Sequence, residues 1–134
     1  MTRLHREWID RAVAGHEAAL RAPTRPLSPM QTMVHTILLE LGRNKELLAL
    51  VDEFVDSAEL VDEIRTDGES VLAARGISLP DGVSMCVVEP AGTPIPVLRF
   101  RFSVRSSVVI VDYHPVMGVS TRLGIPGSAH GLHH

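Results

Sequence analysis

The chain has 134 residues, the length of one domain, and its 45% hydrophobic content suffices for a core. Aromatics are only 4%, so Leu, Val, Ile, Met and Ala must fill that core. The net charge of −3 with interspersed signs excludes the basic stripe of a nucleic-acid binder, the single cysteine excludes an internal disulfide or thiolate cluster, and no run of about 18 apolar residues offers a membrane span.

In chain order, Leu4, Trp8, Ala12, Ala19 and Leu20 fall at helical spacing and predict an N-terminal helix over 1–22, interrupted at Gly15. "RAPTRPLSP" crowds three prolines together and predicts an extended arm over 23–28. Ser28, Pro29 and Gln31 then supply a cap, a first-position proline and a capping box. The stripe Met30, Met33, Val34, Ile37, Leu38 and Leu41 continues as a helix, with Gly42 as its expected stop. Asn44 reads as the cap of a helix carrying Leu47, Leu48, Val51, Phe54 and Val55. Asp56 or Ser57 opens another, with Leu60, Val61 and Ile64 inward, and Asp67 caps a short last helix holding Val71 and Leu72.

A joint follows in "AARGISLPDGVSMCVVEP". Gly76 suits the left-handed residue that ends a helix, and Ile77 suits the apolar residue that folds back on its last turn. Leu79 leads into Pro80, which forbids a restart, and "PDG" puts Gly82 where a turn needs positive φ. Val83, Met85 and Val87 then alternate with Ser84 and Cys86, which predicts a strand. In "VLRFRFSV", Leu98, Phe100, Phe102 and Val104 share one face and Arg99, Arg101 and Ser103 the other. "VVIVDYHP" reads as a third strand, apolar enough to be covered on both faces. The order, helices first and strands after, predicts an α+β fold: an N-terminal helical layer packed against a small antiparallel β-sheet, spanning 29–113. The glycine-rich stretch 114–134 is expected to be a flexible tail.

The stretch from about Glu46 to Leu98 resembles the nitrile-hydratase-like leader peptide family, the leaders of proteusin-type precursors of ribosomally made, enzymatically modified peptides. The matching residues are Gly76, Ile77, Leu79, Pro80, Asp81, Gly82, Val83, Val87, Val88 and Glu89, preceded by a helix pair with Leu48, Phe54, Leu60 and Ile64. The resemblance implies a non-enzymatic protein of peptide natural-product biosynthesis. Its folded handle would dock a modifying enzyme or a precursor peptide, by adding a strand to a sheet edge. Val83, Met85, Val87, Leu98, Phe100 and Phe102 are the expected partner-binding residues, and Gly76, Ile77, Leu79, Pro80 and Gly82 the structural joint. The precursor role is the expected one, as for most relatives of this motif, and the chain would then offer Ser120, Thr121, Ser128 and its last histidines for modification. Two β-rich segments after Pro96 suit instead a free-standing accessory protein. A small oligomeric subunit of a hydratase-like assembly is the third possibility, with homo-oligomerisation hiding the apolar third strand.

No catalytic residue, cofactor or metal site is expected. The nitrile hydratase metal centre needs three cysteines in a Cys-x-x-Cys-x-Cys run, and "PIPVLRFRF" has none. Cys86 reads as a small buried strand residue. His5, His16 and His35 are far apart in sequence, His114 follows a strand, and His130, His133 and His134 lie in the tail. The pairs Asp52/Glu53 and Asp62/Glu63, with Asp56 and Glu59 between, read as the solvated face of helices. Arg99, Arg101 and Arg105 read as an ordinary solvated sheet face. The first twenty residues lack a signal-peptide apolar core, and with the lone thiol this points to the cytoplasm.

Overall fold

A computed structural model describes residues 2–22, 24–89, 95–105 and 107–124. Four helices precede four strands among them: α1 (Thr2–Arg21), α2 (Pro29–Arg43), α3 (Lys45–Asp56), α4 (Ala58–Ala74), β1 (Ser84–Val88), β2 (Val97–Val104), β3 (Ser107–His114) and β4 (Gly118–Gly124). The fold class is α+β, with the helices layered on one face of an antiparallel sheet.

Each helix start has a local cause. Ser28 Oγ accepts from the Gln31 N–H at 3.1 Å, and Gln31 Oε1 accepts from the Ser28 N–H at 2.9 Å, a reciprocal capping box. Asn44 Oδ1 accepts from the Leu47 N–H at 3.0 Å, and Ser57 Oγ from the Leu60 N–H at 3.1 Å. Asp67 sits inside α4 with non-helical φ −160° and ψ 87°, and its Oδ1 accepts from the Ser70 N–H at 3.1 Å. So α4 is two helices joined at a cap, as the aspartate's position suggests.

α1 runs straight through Gly15. It packs on α2 and β4, with Ile9 buried and Arg6 bonded to Asp52 of α3 at 3.0 Å. Gly42 is not the stop of α2, which continues to Arg43. A Cβ at Gly42 would overlap Cγ2 of Val13, so the glycine is there to let α1 and α2 approach closely.

The strands form one sheet in the order β1-β2-β3-β4, all antiparallel. Leu98, Phe100, Phe102 and Val104 of β2 join Val109, Val111 and Tyr113 of β3 in a core against Leu47, Leu50, Phe54 and Leu60. Phe100 meets Tyr113 edge-on, with ring centroids 5.6 Å apart. β3 is buried on both faces, since Val108 and Ile110 are buried on the side away from the helices.

The stretch 114–134 is not all tail. Its first half closes a hairpin: β4 pairs with β3 from His114↔Gly118 to Val108↔Gly124. His114 Nδ1 accepts from the N–H groups of Val116 (3.0 Å) and Met117 (2.9 Å), and Gly118 turns the chain at φ 89°. A turn stapled by a side chain, beside a strand already buried, needs little apolar content in its partner. Residues 125–134, with Ser128, His130, His133 and His134, lie outside the described residues.

Candidate functional site

The joint between α4 and β1 is built from three backbone hydrogen bonds. Ile77 N–H donates to Leu72 O at 2.9 Å and Gly76 N–H to Ala73 O at 3.1 Å, the paired closure of a Schellman motif, with Gly76 at φ 67°. Ile77 is buried against the last turn of α4. Val83 N–H then donates to Pro80 O at 3.1 Å, a turn across Asp81 and Gly82, with Gly82 at φ 83°. Leu79 packs against the core edge. The corner reverses the chain and delivers β1 to the border of the sheet.

Among the described residues β1 is an outermost strand, laddered to β2 alone. Val83, Met85 and Val87 lean toward the helices and are half-buried against the core. Beside them α4 comes close: a Cβ at Gly68 would stand 3.6 Å from the Met85 carbonyl oxygen. Leu98, Phe100 and Phe102 do not belong to a partner-binding face. They are 0%, 0% and 2% exposed, because the helical layer already covers that side of β2. The alternation of "VLRFRFSV" is the alternation of core and solvent.

On the opposite face, Cys86, Arg99, Asp112 and Ser120 form one cross-strand row, and Ser84, Arg101, Ile110 and Arg122 the next. Arg99 grips Asp112 with two bonds, 2.7 and 3.0 Å, and this bond raises the guanidinium's pKa. Arg122 adds a contact to Asp112 at 3.4 Å. Arg101 is exposed beside Ser84, and Arg105 occupies the β2–β3 turn at φ 55°. Cys86 is exposed, not buried as its strand position suggests, because β1 turns it to the outer face. Partial desolvation pushes its thiol pKa up, with nearby Arg99 opposing, which disfavours a thiolate nucleophile.

The remaining candidates are structural or separate. Glu53 takes two bonds from Arg75, 2.9 and 2.7 Å, which lower its pKa. Asp62 lies 3.7 Å from Arg65, and Arg65 also binds Glu89. No cluster of three or more His, Cys, Asp or Glu among the described residues could hold a metal ion. No described helix is long and apolar enough to cross a membrane.

One feature that spacing along the chain conceals is a histidine pair. His16 of α1 and His35 of α2 meet Nδ1 to Nδ1 at 2.9 Å. Both follow the apolar stripes of their helices, His16 three residues after Val13 and His35 beside Val34, so helical phase was the available signal. No protein-family model, curated protein or solved structure matches this chain.

Proposed function

We propose that this chain is a non-catalytic recognition protein of ribosomal peptide natural-product biosynthesis, docking a modifying enzyme or a precursor peptide along β1. The observation that carries this reading is the position of β1: a helix stop and a turn hold it at the sheet border, and among the described residues it has a partner strand on one side only. An added strand would bond to the main chain there, and small Ser84 and Cys86 leave room on the outer face. The resemblance of residues 46–98 to leader peptides supplies the biosynthetic setting. The docking surface is the backbone edge of β1 with Ser84 and Cys86, not the buried Leu98, Phe100 and Phe102.

Of the two roles, the free-standing accessory protein is favoured. Ser120 and Thr121, which a precursor would present for modification, are paired within β4 opposite Asp112 and Val111. A modifying enzyme would have to strip that strand from the sheet first. The test is incubation of the purified chain with the enzymes encoded beside its gene, read by intact mass and by gel filtration. The expected result is an unchanged mass and a complex that the double substitution Ser84→Lys/Cys86→Lys abolishes, since lysines on an edge block strand addition. A mass shift at the C-terminal residues restores the precursor role. A dilution-stable homo-oligomer with no partner complex overturns both in favour of a subunit role.

A further inference from the structure

We infer that His16 and His35 form a proton-operated latch that fastens α1 to the rest of the fold. The two rings stand 5.1 Å apart, tilted by 54°, with their Nδ1 atoms at 2.9 Å. A hydrogen bond between two such nitrogens needs one proton: one ring donates and the other offers a bare lone pair. The bonded pair therefore carries at most one positive charge. A second proton sets N–H against N–H and imidazolium against imidazolium, and the contact opens.

Among the described residues, the gap beside His16 brings no countercharge. The narrow gap around His16 is lined from α2 by Leu38 and Leu41, from β3 by Val111 and Tyr113, and from β4 by Val119 and Thr121. Tyr113, the titratable group among these, stays neutral, its pKa pushed up to about 12 by burial. On α1 itself, Glu17 is bonded to Arg43 of α2 and lies 3.9 Å from Arg21. From α3 the charged group is Asp52, bonded to Arg6 about three helical turns from His16. Desolvation lowers the His16 pKa, and the charge of His35 lowers it further. For a base held below its unfolded value, the stabilisation is complete above about pH 6.5 and is lost as pH falls from there. Release of α1 becomes easier by up to about tenfold per pH unit for each proton taken up.

Trp8, the sole tryptophan, reports on the latch, because its ring lies against Gly118 of β4. The intact chain is titrated from about pH 7.5 to about pH 5, following Trp8 emission and amide exchange corrected for its intrinsic pH dependence. The expected result is a loss of at least about fivefold in α1 protection, a red shift of Trp8, and unchanged β2 and β3. In His16→Gln/His35→Gln, which leaves neither ring to take up charge, the same acidification should change α1 protection less than about twofold. If that substitution releases α1 at every pH, histidine NMR of the native chain decides. Two separated titration steps for the pair support the latch, and two independent steps at the ordinary histidine value overturn it. Protection of α1 and Trp8 emission that both ignore pH also overturn it.

Discussion

Single residues set how closely the elements approach. A Cβ at Gly118 would fall inside the Trp8 ring, and φ is 89° there, so Gly118→Ala meets both a steric and a backbone penalty. It should cost about 2–4 kcal/mol in urea unfolding. Gly15→Ala is the control: nothing lies within 4 Å of its new methyl. It should stabilise the chain by about 0.5–1 kcal/mol through helix propensity. Both glycines look alike in the sequence, and so does Gly42, read there as a stop. What separates them is a neighbour from another element, which no local pattern encodes. The one tyrosine gives a prediction in pH. Burial pushes Tyr113 up to about 12, whereas the unfolded phenol ionises near 10. Stability is therefore full below about pH 10 and falls as pH rises toward 12. Ultraviolet titration should show no phenolate until the chain unfolds, and phenolate appearing in the folded chain near pH 10 would contradict this.

The elements were legible wherever side chains close to one another in sequence decide them. Ser28–Gln31, Asn44, Ser57, Asp67 and the Gly76–Ile77 stop all act within a few residues, and each appears where its chemistry places it. β4 was not legible, because its stability comes from a His114-bonded turn and from β3, not from its own composition. Alternation marked the two faces of β2 and put its arginines on the solvated one. That the apolar face is already covered, and so is not free for a partner, depends on where the helical layer sits, which alternation does not encode. The corner itself is open to test: Gly76→Ala puts a Cβ on a residue at φ 67° and should cost about 1 kcal/mol. Urea unfolding measures that cost. A null effect would mean that the helix stop does not depend on the left-handed residue.

At the scale of the molecule, one helical layer covers one sheet face, and the two borders of the sheet differ. β4 is approached by α1, through Trp8 on Gly118 and the gap beside Val119. β1 is approached by α4 at Gly68 but ends the sheet with uncharged, small outer residues. In the proposed function β1 is the border that receives another polypeptide, and in the inferred latch α1 is the element that moves. The ion pair Arg6–Asp52 holds α1 in its first half, while Glu17–Arg43 and the histidine pair, at neighbouring positions, hold its second half. The most direct measurement is an amide NMR titration of the intact chain with an enzyme encoded beside its gene. Broadening and shifts should concentrate in Ser84–Val88 and in the adjoining Pro80–Val83 turn, with β3 unmoved. Perturbations confined to α1 and α2, or binding that leaves the Ser84–Val88 amides untouched, would contradict docking along β1.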